Sequence, residues 1–302
     1  MATLDTYDTV GIRQDLQDAI YDISPTTTPF MSTVGRTKAK NTKHEWQTDS
    51  LSDVDYDNAQ IEGADAKDSV LTSTTMNDNW TQISDKVVQV SSTDDVVDKA
   101  GRTTETAYQL AKASSELKRD MESILLSDQA GGAGTSATAR TLKGIQTWLT
   151  TNVVTAGDGV GSTAFLEENL NEAVLKAYKA GGEPEMLLVS PSSKQAVSKF
   201  AGIAEQRFQA PSNKPTTIVA TADIYMSDFG TLSVVPDRFL DNSVALVLDP
   251  SMASVAYLRP FKKTKLAKTG DSEKYMMNVE YTLVVKNEAA HAMINKIDAV
   301  TP

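Results

Sequence analysis

The chain has no cysteine, two histidines and only 6% aromatic residues. Without thiols there are no disulfides, no thiolate nucleophiles and no zinc–thiolate sites, which fits synthesis in a reducing compartment. The histidines, His44 and His291, lie far apart, and neither has a second histidine at ligand spacing. A local metal or catalytic pair is therefore not expected from them. Long apolar runs are missing too. The best, Val244-Ala245-Leu246-Val247-Leu248, is strand length, well short of the roughly 20 residues that cross a membrane. Met1-Ala2-Thr3-Leu4-Asp5 has neither the basic nor the apolar region of a secretory signal, so a soluble cytoplasmic product is expected.

What is present is 302 residues with 40% apolar content, enough for one large domain or two interleaved ones. The net charge of -11 opposes tight nonspecific binding to nucleic acid, which needs cations to replace counterions. The charge is also segregated. From Asp49 to Asp98 there are twelve acids against Lys67 and Lys86. Two stretches are basic without an acid: Arg36, Lys38, Lys40 and Lys43, then Arg259, Lys262, Lys263, Lys265 and Lys268. A self-associating protein can use such separation to set register.

Residues 1–36 are polar, and Ser24-Pro25-Thr26-Thr27-Thr28-Pro29-Phe30 holds two prolines that no single helix interior accepts; the segment reads as an extended arm. From Thr42, His44, Trp46, Thr48 and Ser50 alternate with Lys43, Glu45, Gln47 and Asp49, a strand pattern. After an acidic tip from Asp53 to Asp65, Val70 to Met76 reads as the returning leg of a long polar hairpin. Gln82 to Thr93, with Ile83, Val87, Val88 and Val90, is a third β-prone stretch. A lone two-stranded ribbon is marginal in water. This one needs a surface to lie on.

Ala107, Leu110, Ser114, Leu117, Met121 and Ile124 recur by threes and fours, which predicts an amphipathic helix over 103–127. At 1.5 Å per residue its 25 residues would span roughly 38 Å. Gly131, Gly132 and Gly134 are its stop. A second helix over 163–180 turns Leu166, Leu170, Ala173, Val174 and Ala177 inward, with Glu167 and Glu168 in the first turn, where the dipole favours them. Met186 to Val189 reads as a buried strand, after which Ser190 caps a short helix led by Pro191. The remainder is β: 218–226, 232–235, 244–248, 254–258 and 275–286, the last with Val279, Tyr281, Leu283 and Val285 on one face. The class is α+β, without strict βαβ alternation.

This order of elements resembles the Hong Kong 97-type fold of tailed-bacteriophage major capsid proteins. The resemblance rests on Ser24 to Phe30 before the basic Arg36 to Lys43 and His44-Glu45-Trp46, and on Leu142-Lys143-Gly144-Ile145 as a strand after the long helix. It rests also on Leu187-Leu188-Val189-Ser190-Pro191, Asp249-Pro250, Val255-Ala256-Tyr257-Leu258-Arg259-Pro260, and Tyr281 to Ala290. Each motif is weak alone; their order covers nearly the whole chain. The resemblance implies an N-terminal arm (1–36), an extended loop (37–80), a peripheral domain (81–141 and 250–302) with a spine helix (103–127), and an axial domain (142–249).

It further implies a structural subunit that assembles into hexamers and pentamers of an icosahedral head around double-stranded DNA, with no enzymatic activity, cofactor or metal. The alternative is the shell of a cellular nanocompartment of the same fold. Implied partners are copies of itself, a separate scaffolding protein, a portal, room for a decoration protein, and DNA bound without sequence specificity. No membrane partner is implied, and the place is the virion capsid after synthesis in the host bacterial cytoplasm. Some relatives cross-link a lysine to an asparagine; Lys67 is the obvious lysine here, and no partner asparagine stands out.

Motifs with chemistry read blandly. Asp53-Val54-Asp55-Tyr56-Asp57 starts like a calcium loop, but Asn58 and Ala64 occupy the positions that need Gly and Glu. Gly131 to Gly134 and Gly157 to Gly161 lack the Lys-Ser/Thr ending of a phosphate loop. Ser115 and Lys118 lie mid-helix, and no Ser-His-Asp set emerges.

The leading third carries little apolar surface against roughly 1–2 kcal/mol of backbone entropy per ordered residue. Its order is expected to come only from neighbouring copies, through obligate interfaces of about 2,000–5,000 Å². In that expectation Asp53, Asp55, Asp57 and Glu62 of one copy approach Arg259, Lys262, Lys263, Lys265 and Lys268 of the next.

Overall fold

The computed structural model describes residues 24–52, 54–63, 65, 71, 73–98, 101, 103–157, 163–200 and 223–298. The first elements are α1 (Pro29–Thr33), β1 (Gly35–Lys38), β2 (Lys43–Thr48), β3 (Thr75–Trp80), β4 (Gln82–Ser91), α2 (Ser92–Val96) and α3 (Glu105–Leu126). Next come α4 (Ile145–Trp148), β5 (Val153–Thr155), α5 (Glu167–Lys179), β6 (Met186–Val189) and α6 (Pro191–Val197). The last are β7 (Ile224–Ser227), β8 (Gly230–Pro236), β9 (Ala245–Leu248), β10 (Ala253–Lys265), β11 (Ser272–Val285) and β12 (Ala292–Asn295).

One core forms where α3 lies on a sheet ordered β1-β10-β11-β4. Val279, Tyr281, Leu283 and Val285 of β11 meet Leu117, Met121, Leu125 and Leu126 of α3, as the two-residue strand period requires. The α3 stripe is rotated from its predicted seam: Ala107 is exposed and Ile124 half-buried, while Ala113, Glu122 and Leu125 are buried. A helix lying on a sheet buries a wider stripe than a coiled-coil seam, and here that stripe includes an acid. β10 runs far past the expected 254–258 because β11 pairs with it as far as Lys265.

A second sheet is ordered β5-β12-β9-β6-β8-β7. Its central β6 and β9 are buried throughout, hence their unbroken apolar sequences. Alternate residues divide between two cores. Met186, Leu188, Leu246 and Leu248 join the α3 core, whereas Leu187, Val189, Ala245 and Val247 meet Leu170, Ala173, Val174 and Ala177 of α5. α6 starts as its sequence predicts, with Pro191 in the first turn and Ser190 Oγ accepting from the Ser193 amide.

Four expectations change. The hairpin returns through β3, with Lys43 opposite Trp80 and Thr48 opposite Thr75, which shares only Thr75 and Met76 with the expected Val70 to Met76; Val70 and Thr72 lie outside the described residues, and a polar ribbon has no apolar face to fix its register. Leu142 to Ile145 forms no strand: Thr141 bridges Gly132, and α4 follows with Leu142 and Ile145 wholly buried. β12 lies between β5 and β9, so the boundary drawn at 250–302 crosses the second sheet. The part of the expected 218–226 strand before Asp223 lies outside the described residues.

The fourth concerns the front of the chain. Phe30, Met31 and Val34 are buried in the α3 core, and β1 pairs with β10. These residues gain order on their own subunit. The expectation that the leading third is ordered only by sister molecules is overturned there, because three apolar side chains and two backbone hydrogen bonds to Glu122 suffice to seat one helical turn.

Candidate functional site

The two basic stretches meet in space. β1 runs parallel to the front of β10, with Lys38 opposite Tyr257, and the Ala39 amide donates to the Tyr257 carbonyl at 3.0 Å. Exposed Arg36, Lys38 and Lys40 therefore lie at the sheet edge from which β10 continues as Arg259, Lys262, Lys263 and Lys265. The sequence shows two runs; parallel pairing makes one cationic edge.

Not all of that charge is free. Arg259 Nε donates to Glu280 Oε2 at 2.7 Å, while Glu280 Oε1 accepts from Arg140 at 2.6 Å and from Thr81 Oγ1 at 2.8 Å. Glu280 is buried, and a buried carboxylate is stable only when donors and opposite charge surround it. Lys265 pairs with Glu273 at 2.7 Å and Lys268 with Asp271 at 3.8 Å. The Lys263 ammonium sits 4.7 Å from the Tyr275 ring centroid, a cation–π contact. Lys262 stands opposite Asn278, exposed, and among the described residues it has no ion pair.

Asp55, Asp57 and Glu62 are exposed on the β2–β3 loop; Asp53 and Lys67 lie outside the described residues. The Asp57 amide donates to Asp55 Oδ1 at 2.9 Å, which tightens the tip. Among the described residues no ion pair joins these acids to the basic edge of the same chain. The tip also carries apolar side chains in water: Leu51 is 98%, Tyr56 93% and Leu71 90% exposed. Covering one such side chain yields about 1.5–3 kcal/mol.

A model of the SU10 major capsid protein family matches residues 3–298. The chain belongs to that family. The major capsid protein of Escherichia phage Phieco32 is 28% identical over 339 residues, covering 96% of this chain and 95% of that protein. A structure from Mycobacterium phage Bobi aligns with a TM-score of 0.64 at 13% identity, over 97% of this chain and 99% of that one. The holo-SrpI encapsulin complex of Synechococcus elongatus PCC 7942 gives 0.61 at 14%, over 100% and 98%. The fold is the Hong Kong 97 type, and this SU10-family chain is a phage major capsid protein, a structural subunit of the virion capsid.

Two buried acids of this capsid protein have no signal in its sequence beyond an acid on an apolar stripe. Glu122 is wholly buried, and its Oε1 and Oε2 accept from the Phe30 and Met31 amides at 2.6 and 2.9 Å. Burial, with the neighbouring Asp237 carboxyl adding to it, pushes Glu122 up to about 8. Asp237 is itself buried, and desolvation raises it. His291 is buried as well; its Nδ1 accepts from the Asp249 amide at 3.1 Å, which assigns the proton to Nε2, and desolvation lowers it to about 4. Among the described residues no cluster of three or more histidines and acids could hold a metal ion.

Proposed function

We propose that this capsid protein is a non-enzymatic subunit that builds hexamers and pentamers of an icosahedral head around double-stranded DNA. Residues 1–36 serve as the arm and 37–80 as the extended loop; 81–141 with 250–302 are peripheral and 142–249 axial, with β12 shared between them. The acidic loop of one copy lies on the cationic edge of the next. The observation that carries this contact is the exposed charge of opposite sign, with loop acids unpaired to that edge in their own chain. Complementary charge sets register and encounter rate, while Leu51, Tyr56 and Leu71 supply apolar area that only a partner covers. A separate scaffolding protein, a portal and a decoration protein complete the assembly, after synthesis in the host cytoplasm. A nanocompartment shell shares the fold, but the family match favours the phage head.

Assembly followed by light scattering tests the contact. Lys262→Glu with Lys263→Glu and Lys265→Glu should slow or abort shell formation. Asp55→Lys with Asp57→Lys and Glu62→Lys in the same chain should restore part of the rate. An unchanged rate and unchanged salt sensitivity in the lysine variant would overturn it.

A further inference from the structure

We propose that Glu122 and Asp237 form a one-proton latch that clamps the leading segment Thr28–Val34 onto α3 and the second sheet, and weakens its hold when the shared proton leaves. The latch begins with a cap. Thr28, at the start of α1, makes no side-chain cap, so the first-turn amides of Phe30 and Met31 have the Glu122 carboxylate as their partner. Helix first turns need such acceptors, and here the acceptor comes from α3, far along the chain.

Asp237 closes the other side. It follows β8, its amide donates to the Val189 carbonyl at 2.8 Å, and its Oδ1 accepts from the Phe239 amide at 2.8 Å. Its Oδ2 is shut from solvent with no N–H or hydroxyl donor among the described residues, and the side-chain group that the Asp237 carboxyl meets is the Glu122 carboxyl. Two ionised carboxyls are acceptors only and repel each other in a dry site. A single proton between them converts that contact into a short, charge-assisted hydrogen bond. One negative charge then remains for the two amides.

Among the described residues, the other charged groups on the elements packed against the pair are few; on α3, Lys118 is exposed. α1 contributes none. α3 contributes Arg119, whose guanidinium lies 5.6 Å from the Phe239 ring centroid. The turn after β8 contributes Arg238, which is exposed. Glu122, raised to about 8 when latched, returns toward its ordinary 4.5 when released. Opening therefore sheds a proton between those limits. The hold is firmest below them, weakens by up to tenfold per pH unit across the window, and levels off above about 8.

Hydrogen exchange at the Phe30 and Met31 amides of the full-length chain, corrected for intrinsic exchange, tests the latch. Protection should fall by up to about tenfold per pH unit between pH 5 and 8 and stay level above. Asp237→Asn keeps the Phe239 contact through its oxygen and offers Glu122 an N–H, so it should flatten the profile and retain protection at pH 8. Glu122→Gln has no proton to lose and should be flat as well, which keeps the test decisive if Asp237→Asn does not fold. A flat profile in the unaltered chain, as Arg119 neutralising the pair would give, overturns the proposal. So does a slope that survives both substitutions. Shell assembly is not the readout, so this result stands apart from the loop contact.

Discussion

The Trp46 indole N–H donates to the Val285 carbonyl at 2.9 Å, with the indole ring 5.4 Å from that of Trp148. A polar hairpin is thereby pinned to the end of the longest strand. Asn79 pins the other leg: its side-chain amide donates to the carbonyls of Leu283 and Lys143 at 2.8 and 3.1 Å and accepts from the Lys143 amide at 2.8 Å. The base is fixed while the tip is solvated, a division suited to a projecting arm. Trp46→Phe should keep the ring contact and lose the hydrogen bond, costing about 1 kcal/mol. The urea midpoint should fall at an unchanged m-value.

Glu280 joins three parts of the chain: Thr81, Arg140 in the loop after α3, and Arg259 on β10. Removing a buried ion-pair partner strands its opposite charges, so Glu280→Ala should cost about 3–5 kcal/mol. Arg259 is half-exposed, and Arg259→Ala should cost under about 1 kcal/mol. Equal losses in denaturant titrations would show that the carboxylate is not the hub.

His291 makes stability depend on acid. Its folded value of about 4 lies below the ordinary 6.5, so the unfolded chain binds the extra proton between them. The stability is therefore whole above 6.5 and lost as pH falls toward 4, by about 3 kcal/mol. Glu122 acts in the opposite sense over part of this range. The difference between the unaltered chain and His291→Gln isolates the histidine, and that difference should shrink from pH 7 to pH 4.5.

Gly182 touches backbone. A Cβ there would lie 2.6 Å from Ala290 Cα and 2.7 Å from its carbonyl oxygen, neither of which can rotate away. Gly182→Ala should cost about 1–3 kcal/mol by overpacking. Gly181 has φ +86 and open space around its missing side chain, so Gly181→Ala should carry only the left-handed strain, about 1 kcal/mol. Thermal unfolding should rank the two in that order.

Segments that carry their own local reasons are legible in the sequence. Ser190 and Pro191 announce α6, the glycines after Ala180 end α5, and alternation names the buried face of β11. Contacts between distant segments are not. Nothing near Gly35 to Lys38 signals a parallel partner at Ser254 to Tyr257, and nothing near Phe30 signals Glu122. Patterning sends an acid to the wet face, so the buried Glu122 on the α3 stripe is not legible from spacing alone. In the candidate contact, exposure of Asp55, Asp57 and Glu62 follows from their tip position, whereas the engagement of Arg259 by Glu280 depends on strand register.

That register slips twice: between Tyr257 and Arg259, and again between Arg259 and Lys262. Pro260 lies inside the slip, where its missing N–H deprives no ladder of a donor. The front of the strand is thus uncoupled from its rear, and the side on which each ammonium group emerges is chosen at this kink. Excising one residue from Leu258 to Phe261 would turn the following lysines to the opposite face of the sheet, moving charge from one surface to the other while every lysine is kept.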